Sequence, residues 1–112
     1  MKEIIAIPTS KNYLCQHFGH CETFALFEIE NKKITGEKFV NPPPHEPGVL
    51  PAWLASLGVT HIIAGGMGHR AISLFNQQNI LVYTGAEEKP ARILVEDFLG
   101  DQLITGLNTC DH

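Results

Sequence analysis

Four potential metal ligands lie within seven residues near the start of this 112-residue sequence. They are Cys15, His17, His20 and Cys21, in a polar segment that follows a short apolar run. Thiolate and imidazole groups are the ligands favoured by iron–sulfur clusters, zinc and copper. Their density predicts a metal or cluster site, although the C-x5-C spacing matches no ferredoxin or zinc-finger signature. A polar loop whose two thiols bind nothing is the alternative.

A second candidate is a glycine-rich segment between a predicted strand and a predicted helix. It consists of Gly65, Gly66, Met67, Gly68 and His69. Glycine permits a tight turn and the close approach of a ligand. The N–H groups at a helix N-terminus favour an anion by about 0.3–1 kcal/mol at exposed sites. The segment indicates a cofactor-binding loop, with a tight turn that binds nothing as the alternative.

Three further donors lie outside these two segments. His45 lies in a proline-rich stretch, and Cys110 and His112 lie in the last three residues. We include His45 with the cofactor-binding loop, and Cys110 and His112 with the metal ligands. A solvated His45 and a disordered C-terminus are the alternatives. Because three cysteines is an odd number, we expect ligands or free thiols rather than a disulfide framework.

The elements that must position these residues follow the order β-β-β-α-β-α-β-α. Two strands joined at Asn31-Lys32 predict a hairpin, and two right-handed crossovers follow it. The predicted class is α/β: a ribonuclease H-like three-layer fold, with a mixed five-stranded sheet and helices on both faces. The predicted strands cover 4–8, 23–30, 33–40, 59–64 and 80–83, and the predicted helices begin near 49, 69 and 88.

The length allows one hydrophobic core, and no second one. The apolar fraction of 44% and the charged fraction of 18% are typical of a folded globular chain. We expect a single cluster-binding domain over 1–100. The remaining tail over 101–112 is weakly patterned, which is typical of a flexible segment.

Charge and hydropathy exclude several kinds of partner. The net charge is −4, and no basic cluster exceeds Lys32-Lys33, which argues against nucleic acid. No apolar run approaches the ~18–20 residues that span a bilayer. The first apolar stretch is broken by Pro8 and lacks a small-residue cleavage site, so a signal peptide is not expected. These features predict a cytoplasmic protein without membrane partners.

Catalysis is not expected from the residues present. A nuclease of this fold needs several carboxylates around two metal ions. The first strand carries only Glu3, and Glu22 and Glu28 have no aspartate companions. A nucleophilic Cys15 or Cys21 beside a histidine is conceivable, but no orienting acid is visible. The sequence therefore predicts a binding protein rather than an enzyme.

Several segments together resemble a known family. They are Ile-Ala-Ile-Pro-Thr at 5–9, His-Phe-Gly-His at 17–20, Asn-Pro at 41–42 and Ile-Ala-Gly-Gly-Met-Gly at 63–68. Their joint occurrence resembles the dinitrogenase iron–molybdenum cofactor biosynthesis family, the small proteins similar to NifX and to the C-terminal part of NifB. The resemblance extends from residue 4 to about residue 100.

The resemblance implies a ribonuclease H-like fold that binds or carries an iron–sulfur or molybdenum–iron–sulfur cluster, or its precursor. It implies cluster-assembly or acceptor proteins as partners, and no catalysis. By position, His17 and the glycine segment 65–68 correspond to the family's proposed cluster pocket. Cys15, Cys21 and the tail are not core features of the family, so their ligand role depends on the chemical argument above.

A second class of function remains open. Cys15, Cys21, Cys110 and a histidine could close a tetrahedral zinc site in a regulatory or interaction domain. A carrier differs in needing few, exchangeable ligands, because it must release its cargo. Either reading requires spatial convergence. For a carrier, the donors near position 18 must face the backbone amides near position 66.

Overall fold

The computed structural model describes residues 2–15, 22–43 and 49–101. Its elements alternate much as predicted. They are β1 (Glu3–Ser10), β2 (Tyr13–Leu14), β3 (Thr23–Glu30), β4 (Lys33–Val40), α1 (Val49–Ser56), β5 (His61–Ile63), α2 (His69–Gln77), β6 (Leu81–Tyr83) and α3 (Ala91–Leu99). None of the described helices has the length and apolar character of a membrane-spanning segment.

One mixed sheet forms the centre of the molecule, with the strand order β4-β3-β1-β5-β6. β4, β3 and β1 pair antiparallel, whereas β1, β5 and β6 are parallel. The predicted α/β class and mixed sheet are confirmed, and the arrangement is compatible with the ribonuclease H-like layout. The predicted hairpin is present, because Glu30 pairs with Lys33 across a two-residue turn in which Asn31 and Lys32 have positive φ.

The helices cover both faces of the sheet, as predicted. Along β1, the side chains of Ile5 and Ile7 join the core beneath α3, whereas that of Ala6 joins the core beneath α1 and α2. Successive side chains of a strand point to opposite faces, so this alternation assigns each helix to its layer. β1 is buried on both faces, and it is the strand from which the site is built.

Two features differ from the predicted elements. β2 has only two residues, pairs with the end of β1, and shows no periodicity that a sequence pattern could reveal. The third helix begins at Ala91 rather than near Glu88, because Pro90 pairs with Tyr13 of β2 and the N–H of Ala91 donates to the Asn12 carbonyl. Both differences arise from the contact between β2 and the segment before α3.

His61 is a buried polar residue at the start of β5. Its Nδ1 lies 2.7 Å from the Thr60 hydroxyl, and its Nε2 lies 3.5 Å from a carboxylate oxygen of Glu3. Its ring packs against the rings of Tyr83 and Phe98. Burial lowers the pKa of His61 below its ordinary value, and the Glu3 carboxylate offsets part of that effect.

The packing predicts unequal costs for two phenylalanine truncations. Phe27 is fully buried in the core beneath α3, whereas the side chain of Phe39 on β4 is 44% exposed. We expect Phe27→Ala to lower the free energy of unfolding by about 3–5 kcal/mol. Phe39→Ala should cost about 1 kcal/mol or less. Urea unfolding of both variants measures the difference, and equal losses would contradict the assigned core.

The burial of His61 predicts a pH dependence of stability. Above pH of about 6.5 this histidine is neutral in both the folded and the unfolded chain, so it contributes no slope. Below that pH the unfolded chain binds the proton first, and the free energy of unfolding falls until the pH reaches the lowered pKa of the folded state. Urea unfolding across pH should show this decline, and His61→Gln should remove it.

Glu3→Gln is the matched control, because it removes the charge that raises the pKa of His61. In this variant the decline should continue to lower pH than in the unmodified protein. A slope below pH of about 6.5 that is the same in all three proteins would show that other groups cause it.

Candidate functional site

The carboxyl ends of the parallel strands lie at the same edge of the sheet. β1 and β5 are neighbours whose following connections diverge: β1 leads towards β3 on one side, and β5 leads through α2 to β6 on the other. A crevice outside the carboxyl ends of two such strands is the usual ligand site of open α/β sheets. The segments after Ser10 and after Ile63 both leave the sheet at this edge.

β1 extends further than β5, and its last residues pair with β2 instead. The N–H of Thr60 donates to the Ile4 carbonyl at 2.9 Å. Alternate carbonyls of a strand point to the same edge, so a straight ladder would next use the carbonyls of residues 6 and 8. The Pro8 carbonyl, however, accepts from the N–H of Cys15 at 2.9 Å. Cys15 therefore lies along the same edge of β1 as β5 does, just beyond the end of β5.

β5 stays paired with β6 just beyond its last residue. The N–H of Ala64 donates to the Tyr83 carbonyl at 2.8 Å, which continues the parallel ladder between these two strands. The N–H of Gly85 then donates to the Gly65 carbonyl at 2.6 Å. Cys15, through its bond to Pro8, and the start of the glycine-rich segment thus both lie at the carboxyl edge of the sheet. The convergence of the donors near position 18 with the amides near position 66 stays a prediction, since residues 16–21 lie outside the described residues.

The glycine-rich segment joins β5 to the N-terminus of α2. Gly65, Gly66 and Met67 are buried, Gly68 is half-buried, and His69 is exposed at the first position of the helix. No side chain caps the described N-terminus of α2, and its first turn carries no acidic residue. The helix dipole and the N–H groups of this turn therefore present positive potential at the carboxyl edge.

The glycines of this segment do not adopt left-handed backbone. Among the described glycines, only Gly58 and Gly85 have positive φ, and Gly68 has a φ of −68°. The residue that needs left-handed backbone is Gly85, with a φ of 79°, whose N–H donates to the Gly65 carbonyl from the segment after β6. Its one sequence signal is a glycine two residues after an apolar run.

The base of the segment after β1 is closed by polar contacts. Thr9 is fully buried, and its hydroxyl lies 2.7 Å from that of Thr23. The N–H of Glu22 donates to the Thr9 carbonyl at 3.1 Å, and the hydroxyl of Ser10 donates to the Glu22 carboxylate at 3.1 Å. Cys15 and Glu22 are therefore anchored to the carbonyls of consecutive residues of β1. Thr9 was not predicted as a positioning residue, although a polar residue ending an apolar strand was visible.

Cys15 is disulfide-bonded in this structure, whereas the sequence predicted a ligand or a free thiol. A ligand role for this sulfur therefore requires its reduced form. Among residues 2–15, 22–43 and 49–101, no group of three histidine, cysteine or acidic side chains could hold a metal ion. The remaining predicted donors lie outside the described residues: His17, His20, Cys21, His45, Cys110 and His112.

A separate cleft of about 290 Å³ lies at the other end of the sheet. It is lined by Lys32, Lys33, Ile34, Arg92, Glu96 and Leu99. The guanidinium of Arg92 is already paired, at 2.8 Å with Glu37 and at 3.5 Å with Glu96. Of the predicted site residues that the structure describes, none lines this cleft.

Comparison with known sequences supports the resemblance. The family model described as dinitrogenase iron-molybdenum cofactor matches residues 1–101. An uncharacterised protein of Methanocaldococcus jannaschii, MJ0580, is 39% identical over 84 residues, which are 70% of this chain and 71% of that protein.

Solved structures share the fold. The crystal structure of PH0822 has a TM-score of 0.86 and 28% identity, covering 94% of this chain and 96% of that chain. The apo form of the orange protein from Desulfovibrio gigas has a TM-score of 0.77 at 19% identity, covering 95% of this chain and 94% of that chain. The chain therefore belongs to the dinitrogenase iron-molybdenum cofactor family.

Proposed function

We propose that this protein binds an iron–sulfur or molybdenum–iron–sulfur cluster, or its precursor, and carries it during metallocofactor assembly. The observation that supports this most is the position of Cys15 at the carboxyl edge of the sheet. There the N–H of Cys15 donates to the Pro8 carbonyl, at the edge where the glycine-rich segment follows β5. Membership of a family related to the iron–molybdenum cofactor supplies the class of cargo.

The electrostatics of the edge suit an anionic cargo. Thiomolybdates and iron–sulfur clusters with thiolate ligands carry negative charge. His69 and Arg70 open α2 and are exposed, and no acidic residue lies in that turn. Among the described residues, Arg70 makes no ion pair. Its charge adds to the potential of the helix N-terminus, so the edge attracts an anion before any metal–ligand bond forms.

The inner-sphere ligands would come from the segment after β1. In this proposal Cys15, His17, His20 and Cys21 supply soft and borderline donors, and Cys110 with His112 can add to them. His45 and the glycine-rich segment would contact the outer surface of the cargo. A set of few ligands lets an acceptor protein compete for the cluster, which a closed four-ligand zinc site would resist.

The carboxylates of the described strands favour a carrier over a nuclease. Glu3 and Glu28 lie near the amino end of β1, opposite the proposed site. Glu3 contacts His61 at 3.5 Å, and Glu28 pairs with Lys2 at 3.1 Å. We therefore propose a non-catalytic cytoplasmic protein, with its cluster-binding domain over 1–100 and a tail over 101–112. Its partners would be assembly or acceptor proteins.

Anaerobic reconstitution tests the proposal directly. The reduced protein, treated with iron and sulfide, should develop charge-transfer absorption in the visible and retain iron on a desalting column. A Cys15→Ser/Cys21→Ser double variant should retain roughly tenfold less iron, because the thiolates supply the inner-sphere bonds. Lys38→Ser, a substitution on the distant edge strand β4, should behave like the unmodified protein.

Two results would oppose a carrier. A colourless protein without iron, molybdenum or copper after reconstitution would exclude cluster binding. Stoichiometric zinc that resists chelators, and whose removal unfolds the chain, would favour the zinc-stabilised domain instead.

Charge reversal at the start of α2 tests the anionic nature of the cargo. Arg70→Glu should weaken the binding of tetrathiomolybdate by about 3- to 10-fold, since each charge near a helix N-terminus contributes about 0.3–1 kcal/mol. Lys33→Glu makes the same charge change at the far end of the sheet and should have less effect. Titration followed by visible absorption measures both, at low and at high salt. Equal losses in the two variants would indicate a net-charge effect and not a local site.

A further inference from the structure

The disulfide at Cys15 involves the proposed cargo ligands themselves. Cys15 is the one cysteine among the described residues, and its sulfur is disulfide-bonded. The chain has three cysteines, so an intrachain partner is Cys21 or Cys110. All three belong to the proposed donor set. Whichever partner is used, the bond removes two of the three sulfurs from that set.

A sulfur in a disulfide cannot serve as a thiolate ligand. The thiolate is the form of cysteine that binds metals, and neither sulfur of a disulfide carries the negative charge of a thiolate. The sulfur of Cys15 therefore cannot bind the cargo while it is part of the disulfide. This exclusion follows from valence and does not depend on which cluster is carried.

The backbone around Cys15 is held independently of its sulfur. The N–H of Cys15 donates to the Pro8 carbonyl at 2.9 Å, and the N–H of Leu14 donates to the Lys89 carbonyl at 2.9 Å. Leu14 is itself buried in the core beneath α3. Reduction of the disulfide leaves these anchors in place, so the backbone of the residue that carries the released thiol stays at the carboxyl edge.

We propose that thiol–disulfide exchange at Cys15 switches the cargo site on and off. This inference rests on the proposed function and adds its regulation. A dithiol reductant attacks one sulfur of the disulfide through its thiolate and forms a mixed disulfide. Its second thiol then displaces the protein sulfur. The protein gains two electrons and two protons as two thiols, and the reductant leaves as its own disulfide. Metal binding then displaces the thiol protons.

The test compares the oxidised and reduced forms of the full chain with Co²⁺ as the probe. Cobalt is used because sulfide would itself reduce the disulfide, and because Co²⁺–thiolate complexes absorb in the near ultraviolet. Oxidised protein should show one free thiol per chain, and reduced protein three. After removal of the reductant, the reduced form should bind Co²⁺ at least about tenfold more tightly, with thiolate charge-transfer absorption.

Single variants separate the switch from a structural staple. Cys15→Ser should bind Co²⁺ weakly whether oxidised or reduced. If Cys21 is the disulfide partner, Cys21→Ser should keep two free thiols after oxidation and Cys110→Ser none. If Cys110 is the partner, the two results should be exchanged. Circular dichroism and urea unfolding of both redox forms should show the same fold.

Several outcomes would overturn the switch. These are equal Co²⁺–thiolate absorption in both redox forms, three free thiols after treatment with oxidised glutathione, or unfolding of the chain on reduction. If the reduced form takes up clusters in the anaerobic reconstitution and the oxidised form binds Co²⁺ equally well, the switch fails and the carrier function stands. If reduced protein binds neither Co²⁺ nor a cluster, both proposals fail.

Discussion

The site depends on β1 being longer than its parallel neighbour β5. Where β5 ends, the Pro8 carbonyl of β1 is left without the partner that a continued ladder would supply. A buried carbonyl needs a hydrogen bond, and the N–H of Cys15 provides it. β5 remains paired with β6 there, since the N–H of Ala64 donates to the Tyr83 carbonyl. One backbone hydrogen bond thus fixes Cys15 at the carboxyl edge of the sheet.

The fold separates rigid support from the groups that would exchange. β1 is buried on both faces, and the contact between Thr9 and Thr23 closes the base of the segment that follows it. Cys15 and Glu22, which flank the donor-rich segment in the sequence, are anchored to carbonyls of β1. A carrier benefits from such a fixed scaffold, because the scaffold persists while the ligands change partner. The second cleft, at Lys32 and Arg92, lies at the opposite end of the sheet.

Several elements were predictable because their signals are local. The hairpin at Asn31-Lys32, the apolar strand β1 and the helix after Gly68 each follow from residues within a few positions of one another. β2 was not predictable, since a strand of two residues is too short to show a hydrophobic periodicity. The start of α3 was misplaced because Pro90 pairs with Tyr13, a residue far away in the chain. The disulfide at Cys15 was also not anticipated, because an odd cysteine count favours no pairing.

The sequence by itself determined the α/β class, the family, the order of the strands along the chain and the chemical type of the donors. These properties depend on composition, on short-range periodicity and on motif spacing. Only the tertiary structure decided that Cys15 donates to the Pro8 carbonyl, that Gly85 takes left-handed backbone opposite Gly65, and that Thr9 closes the base. The physical reason is that these contacts follow from competition for hydrogen-bond partners between segments that are separate in the sequence, and no local pattern records which partner succeeds.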